Sequence, residues 1–197
     1  MQLQKLVYSP RVEKWLERGG KLLQLGVNYR GSAIVVDETE AKTETADAAG
    51  TTDADSYTDD GVLRGGDRAP DAPALLRLDG TTRLFDIFKP YLHTVLIFSS
   101  ATAVSRSTAV LEALQIYPTS SIQSVVVHTW EVYQSSEAGL ELATMVVKDK
   151  LGHAYQGYAV APRSEELSVF IVRPDGVIGG LVHGVEGVQK YFSGIFL

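Results

Sequence analysis

The 197-residue sequence contains no cysteine, and this absence excludes several kinds of chemistry. Without thiols the chain can form no disulfide, no thiolate nucleophile, no zinc finger and no cysteine-ligated iron–sulfur cluster. The lack of cysteine also fits a reducing compartment. No apolar run reaches the roughly 20 residues that span a bilayer, and the first ten residues lack the apolar core of a signal peptide. We therefore expect a cytoplasmic protein that has no membrane partner.

The sequence also lacks the fingerprints of common cofactor and catalytic sites. It has no P-loop, no HExxH or EF-hand pattern and no GxSxG nucleophile elbow. The glycine-rich stretch at 176–180 falls inside a predicted hairpin, so it cannot present a helix N-terminus to a dinucleotide. The four histidines are far apart, without the short spacing typical of zinc ligands. We therefore predict neither a cofactor nor a metal.

The negative charge of the chain is concentrated in one segment. Residues 37–60 contain nine acidic side chains and one lysine, so they carry −8 and the rest of the chain +2, against −6 in total. Almost no large apolar side chain occurs there, which is typical of a solvated linker. No basic stripe suits a phosphate backbone, so we do not expect nucleic acid as a partner.

Apolar periodicity predicts strands and helices on both sides of this linker. Before it, residues 9–19 fit a short helix, and residues 22–29 and 32–36 fit a hairpin around Gly31. After it, the predicted strands cover 93–98, 122–130, 167–173 and 177–182, and the predicted helices cover 103–115, 139–147 and 184–196. A Pro-Asp-Gly turn joins the last two strands.

This order of elements predicts an α/β fold. A strand–helix–strand start implies a right-handed parallel crossover. A closing antiparallel hairpin and a helix complete a central mixed β-sheet flanked by helices on both faces. That is a thioredoxin-like layout, here without a CxxC motif.

Five residues are candidates for a functional site. Asp67 and Arg68 form a charged pair in a turn that follows two glycines. Tyr29 and Arg30 lie in the predicted hairpin, and arginine is a good clamp for a carboxylate or a phenolate. His128 lies in an apolar strand, where an imidazole can act as an acid or a base. A purely structural role is the competing interpretation for each of them: ion pairing in a turn, or a buried imidazole with its hydrogen bonds satisfied.

Five stretches of the chain occur in the same order as in a known family. They are GVNYRGSAIVVDE (26–38), GGDRAPDAPAL (65–75), LFDIF (84–88), HTVLIF (93–98) and FIVRPDGVIG (170–179). Together they resemble the C-terminal part of FAD-dependent aromatic hydroxylases of the phenol 2-monooxygenase type. The resemblance implies that residues 1–38 correspond to the end of the middle domain, 39–60 to an acidic linker, and 61–197 to the non-redox thioredoxin-like domain. The FAD-binding motifs of these hydroxylases have no counterpart here.

Two functions of different classes follow. The first is a stand-alone, non-redox module that dimerises or docks on a flavin-dependent hydroxylase. The alternative is a repurposed cofactor-free cyclase, dehydratase or isomerase that acts on an aromatic or polyketide-like small molecule, with the five candidates as its catalytic residues. A third possibility is a truncated gene product that has no function. We expect a homodimer in the first two cases, because the predicted hairpin would expose Leu22, Leu23, Leu25, Ile34 and Val36.

Overall fold

A mixed β-sheet runs through the part of the chain that the computed structural model describes, residues 28–39, 62–100, 103–129 and 140–196. Its strands are β1 (Val36–Asp37), β2 (Leu75–Arg77), β3 (Gly80–Thr82), β4 (His93–Ser99), β5 (Ile122–Thr129), β6 (Met145–Asp149), β7 (Ser168–Val172) and β8 (Ile178–Val182). The helices are α1 (Leu84–Ile87), α2 (Val104–Leu114), α3 (His153–Gly157) and α4 (Val185–Ser193), with a 3-10 turn at Leu140–Leu142.

The strands lie in the order β1-β8-β7-β4-β5-β6-β2-β3. Strands β4, β5 and β6 are parallel to one another, whereas β7 is antiparallel to β4 and β8 is antiparallel to β7. Strand β1 adds to the far edge of β8 in parallel, and the β2–β3 pair adds to β6 in antiparallel fashion. The predicted mixed sheet, with a parallel crossover from β4 through α2 to β5, is confirmed.

The central strands are buried on both faces, which explains their almost unbroken apolar sequence. On one face Ile97 and Val126 pack with side chains of α2 and α4; we call it the α2 face. On the opposite face Phe98 and Val125 pack with the tyrosines in and after α3; we call it the α3 face. The ring of Phe98 lies 5.3 Å from that of Tyr158. Alternate residues of each strand therefore point to different layers of the core.

Most elements after the acidic linker lie where the sequence predicts them. Strands β4, β5, β7 and β8 and helices α2 and α4 are all present. The turn between β7 and β8 also has the predicted chemistry: Gly176 has a φ of +80°. The Asp175 carboxylate accepts the Val177 N–H at 3.2 Å, as an aspartate in a tight turn does.

The predicted helix over residues 139–147 is wrong. In its described part, the chain makes the 3-10 turn at Leu140–Leu142 and then enters β6. Val146 lies opposite Val126 of β5, so the stretch completes the parallel part of the sheet. Adjacent β-branched valines suit a strand, and pairing with the edge of β5 outweighs a weak helical pattern.

The second strand of the predicted N-terminal hairpin is also wrong. Residues 30–34 form turns, in which the Ser32 N–H donates to the Tyr29 carbonyl at 3.1 Å. Only Val36–Asp37 is extended, and it pairs with β8 rather than with the chain that precedes it. The predicted helix at 9–19, residues 22–27 of the hairpin and the acidic stretch from residue 40 to 60 lie outside the described residues.

Residues 28–39, here called the strap, are tied to the sheet at several points beyond β1. The Asp37 carboxylate accepts the Gly65 N–H at 2.6 Å. The Glu38 carboxylate accepts the His183 N–H at 2.7 Å, just before the first turn of α4. A carboxylate is favourable there because the N-terminus of a helix carries a partial positive charge. Asp37 and Glu38, the first two acidic residues of the acidic segment, therefore accept hydrogen bonds from backbone N–H groups of the domain.

Gly66 lets the strap approach the domain backbone to backbone. The Tyr29 N–H donates to the Gly66 carbonyl at 2.7 Å. A Cβ atom on Gly66 would overlap the backbone nitrogen of Arg30 and the carbonyl carbon of Tyr29. Gly66 also has a φ of +92°, in the region that favours glycine. Only glycine fits this position without displacing the strap.

We expect Gly66→Ala to destabilise the fold more than Gly176→Ala, measured as the free energy of unfolding in urea. Both glycines have positive φ, but a Cβ on Gly176 would meet nothing within 4 Å. The control therefore reports backbone strain alone, about 1–2 kcal/mol. Steric overlap at Gly66 should add about 1–3 kcal/mol. Equal losses in the two variants would contradict the close approach of the strap.

Candidate functional site

Two of the five candidate residues form an ion pair between the strap and the turn that follows Gly66. The Nε atom and one terminal nitrogen of Arg30 lie 2.7 Å from the two oxygens of Asp67. The Arg64 N–H donates to the same carboxylate at 2.8 Å. A two-point arginine–carboxylate pair is directional and strong. The carboxylate of Asp67 is therefore committed to contacts within the chain.

Tyr29 and Arg68 flank this pair without taking part in it. The ring of Tyr29 lies 5.6 Å from the guanidinium of Arg173, within the range of a cation–π interaction. Arg173 in turn pairs with Asp175 at 2.6 Å. The backbone of Arg68 bridges to Val177, and its side chain is exposed. The four residues predicted near the strap thus lie in one region, where most of the charge is paired internally.

His128 lies at the opposite end of the sheet. The bridge from Arg68 to Val177 is next to the start of β8, whose Ile178 pairs with Val172 of β7. Val172 in turn lies opposite Thr94, near the start of β4, whereas His128 lies opposite Ser99, the last residue of β4. At about 3.3 Å per residue, the two ends are about 17 Å apart along the strand. The five candidates therefore do not converge on one reaction centre.

The side chain of His128 is buried without a hydrogen-bond partner. Its exposure is 4%, and neither ring nitrogen has a partner in the part of the chain that the structure describes. Burial lowers the pKa of His128 below 6.5, a contact with the Ser99 backbone that falls outside normal hydrogen-bond geometry opposes this shift, and the charge of Lys148 adds to it. His128 is the candidate whose environment differs most from a satisfied structural residue.

A cavity of about 110 Å³ lies on the α2 face, away from all five candidates. One wall contains the hydroxyls of Ser124 and Thr144, which hydrogen-bond to one another's backbone and side chain. Tyr117 lines another wall, and burial raises its pKa. No histidine or arginine lines this cavity, so it is not the acid–base pocket that a cofactor-free enzyme would need.

The residues that sequence reasoning missed are the neighbours of His128. Ser99 and Lys148 flank it in the same cross-strand row. Ser99 is the polar residue that ends an apolar strand, which is a signal that parallel strands offer at their carboxyl ends. Lys148 directly follows the stretch 139–147 that was predicted as a helix, so its position opposite His128 could not be predicted. Recognising β6 as a strand would have placed it there.

Neither a cluster of metal ligands nor a membrane-spanning helix occurs within the described ranges. No group of three or more histidine, aspartate or glutamate side chains is arranged to hold a metal ion. No helix among these residues has both the length and the apolar character needed to cross a bilayer.

Comparison with solved structures shows a thioredoxin-like fold. A proposed thiol:disulfide interchange protein DsbE from Chlorobium tepidum is 18% identical, with a TM-score of 0.51 over 68% of this chain and 97% of that one. A thiol:disulfide interchange protein from a Bacteroides species is 17% identical, with a TM-score of 0.51 over 68% and 93%. A domain of a proposed thiol-disulfide isomerase from Cytophaga hutchinsonii is 13% identical, with a TM-score of 0.51 over 68% and 94%.

These similarities extend to the fold and not to the chemistry. No family model matches the sequence, and no curated protein matches it. The proteins above are named for thiol–disulfide exchange, which requires thiols, and these 197 residues contain none. The chain thus has a thioredoxin-like α/β fold with a central mixed sheet flanked by helices, and its own residues cannot exchange disulfides.

We expect the free energy of unfolding to fall as the pH drops below about 6.5. Burial lowers the pKa values of His93 and His128 in the folded state, so the unfolded chain takes up these protons first. Stability is full above 6.5 and is lost towards the lowered pKa values, at about 1.4 kcal/mol for each pH unit of difference at His128. Urea unfolding between about pH 8 and pH 5.5 measures this slope.

His128→Gln should flatten that slope, because glutamine keeps a polar side chain but does not titrate. His93→Gln should flatten it as well, because the half-buried imidazole of His93 also has a lowered pKa. A wild-type stability that rises as the pH falls through this range would contradict the lowered pKa values.

Proposed function

We propose that the chain is a non-redox, thioredoxin-like interaction module that forms a homodimer through its strap. The observation that carries this proposal is an apolar surface on an otherwise well-anchored element. Tyr29 and Ile34 of the strap are 47% and 46% exposed, and Val62 beside it is 53% exposed. We call these three residues the strap patch. Large apolar side chains that a fold leaves exposed on one element are candidates for an interaction surface.

The anchoring of the strap makes its patch suitable for binding. Arg30 holds it through Asp67 and also donates to the Val62 carbonyl at 3.3 Å. The patch residues therefore sit on backbone that is fixed at both sides. A surface that is ordered before binding loses less conformational entropy on association. Val36 is half-buried and packs against the α2-face core instead, so it does not contribute the exposed surface predicted for it.

A second copy of the chain is the occupant we favour. Strand β1 ends the row of strands in the described sheet and is only two residues long. An edge strand offers backbone groups for pairing, but a strand this short offers few of them, so the contact would rest mainly on the side chains of the strap patch. A two-fold axis beside the strap would bring two identical patches together, as in most homodimers.

The resemblance to aromatic hydroxylases supports the same surface for docking on a flavoenzyme. In that family the thioredoxin-like domain packs on the enzyme body, and residues 1–38 are expected to derive from the adjoining middle domain. The strap would then be the former connection to that body. The chain itself would bind no flavin, and the lack of cysteine supports a cytoplasmic setting.

The alternative of a cofactor-free cyclase, dehydratase or isomerase has less support. Such an enzyme needs acid–base groups around one substrate cavity. Arg30 and Asp67 are paired with each other, and His128 lies at the other end of β4. Of the five candidates, only His128 would therefore be left for acid–base catalysis on an aromatic small-molecule substrate.

The dimer is tested by size-exclusion chromatography with light scattering at micromolar concentration. We expect a dimer for the wild-type chain and a monomer for Ile34→Asp, because a buried unpaired charge opposes association. Ile116→Asp is the matched control, since Ile116 is 73% exposed and lies two residues after the end of α2, outside the strap. It should remain a dimer.

Two results would overturn this proposal: a monomeric wild-type chain, or equal loss of the dimer in both variants. Circular dichroism of each variant checks that it is folded. A wild-type monomer that nevertheless binds a purified phenol hydroxylase through Ile34 would replace the homodimer by the docking function.

A further inference from the structure

Three polar side chains form a row across the carboxyl ends of the parallel strands. Ser99 of β4 lies opposite His128 of β5, and His128 lies opposite Lys148 of β6. Adjacent strands are about 4.8 Å apart, so the three residues are immediate neighbours. Val126 and Val146, two residues earlier in their strands, pack on the α2 face. Alternation along a strand therefore places His128 and Lys148 on that face.

Helix α2 begins beside this row. The Ser99 hydroxyl lies 3.1 Å from the hydroxyl of Ser107, in the first turns of the helix. The helix has 11 residues, no acidic side chain in its first turn and no side-chain hydrogen bond at its N-cap, Ala103. The first N–H groups of a helix lack partners within the helix and carry a partial positive charge. This end of the sheet thus favours a negatively charged ligand.

His128 is an independent observation that points to a ligand at the same place. Both of its ring nitrogens lack partners among the described residues although the side chain is almost fully buried. An unpaired buried polar group costs about 1–3 kcal/mol, and most such groups in proteins are paired. The imidazole lies beside Ser99 on the side of the sheet where α2 starts, so a bound oxyanion would supply the missing acceptor.

We propose that Ser99, His128, Lys148 and the N-terminus of α2 form a binding site for a small oxyanion, such as the carboxylate or phosphate group of a metabolite. Lys148 would contribute charge, His128 an N–H donor, and the first turn of α2 its backbone N–H groups. The site is separate from the strap patch, which lies at the other end of β4. Ligand binding here does not depend on the dimer.

Anion binding at this site is coupled to protonation of His128. The neighbours of His128 across the strands are Ser99 of β4 and Lys148 of β6, and the Ser99 hydroxyl lies 3.1 Å from the Ser107 hydroxyl of α2. Arg106, the other charged residue near the start of α2, is exposed and donates to the Glu165 carbonyl. Burial and the charge of Lys148 both lower the pKa of His128 and so oppose its protonation. A bound anion reverses this balance, so the site takes up a proton together with the ligand.

The experiment is an NMR titration of the histidine ring protons of the full chain, with His128 assigned from His128→Gln. The probes are sodium sulfate and sodium acetate, which distinguish a tetrahedral from a planar oxyanion and do not change charge near neutral pH. Chloride at matched ionic strength controls for screening. We expect a saturable shift of the His128 signal, a raised His128 pKa, and affinity that increases up to about tenfold for each unit of falling pH.

Variants separate the site from general charge effects. Lys148→Gln should weaken binding, and His128→Gln should abolish its pH dependence. His153→Gln is the matched control, because His153 begins α3, beyond the other face of the sheet, and should bind as the wild type does. Failure of both anions to shift the wild-type His128 signal beyond chloride would overturn the proposal, as would binding with unchanged pH dependence in His128→Gln.

Discussion

The backbone contact between the strap and Gly66 is the constraint on which the N-terminal half of the described structure depends. Because Gly66 has no side chain, Tyr29 can hydrogen-bond to it directly. That contact places Arg30 against the carboxylate of Asp67. The chain then reaches β8, where β1 pairs in parallel. Gly66 itself is held by the first residue of β8, since its N–H donates to the Ile178 carbonyl at 2.7 Å. One small residue thus joins three separate stretches of chain.

The sheet gives its two ends opposite chemical characters. At the end near the strap, arginines meet aspartates of the same chain, and the charges are neutralised locally. At the other end, the three parallel strands bring a hydroxyl, an imidazole and an ammonium into one row beside a helix N-terminus. Parallel strands produce such an edge because all of their carboxyl ends lie on one side. The described sheet therefore has a polar edge at the carboxyl ends of its parallel strands.

The sequence predicted elements whose signal is local, and it missed those that depend on distant partners. The apolar runs at β4 and β5 and the Pro-Asp-Gly turn can be recognised from the local sequence alone. Strand β6 cannot, because it is a strand by virtue of its pairing with β5. Short α3 was missed for a similar reason. It depends on the Asp149 carboxylate, which accepts the N–H groups of Ala154 and Tyr155 at 2.7 and 3.0 Å.

The candidate site follows the same division. Arg30 and Asp67 are separated by 37 residues of sequence. Each could be identified as a candidate residue, but their ion pair could not be predicted. His128 could be singled out as a histidine in an apolar strand. Its neighbours could not be identified, because the row of Ser99, His128 and Lys148 exists only once the register of three strands is known.

A comparison with Tyr191, another residue with a buried polar atom that lacks a partner, shows why His128 requires a different explanation from an ordinary packing residue. The hydroxyl of Tyr191 also lacks a partner, and burial raises its pKa to about 12. Its ring, however, fills the space left open by Gly179 and packs edge-on against Phe192 at 5.1 Å. Burial of an aromatic ring stabilises the fold by more than one lost hydrogen bond costs. His128 has two polar nitrogens and no aromatic contact of this kind among the described residues. A ligand that pairs with those nitrogens would offset a cost that packing does not.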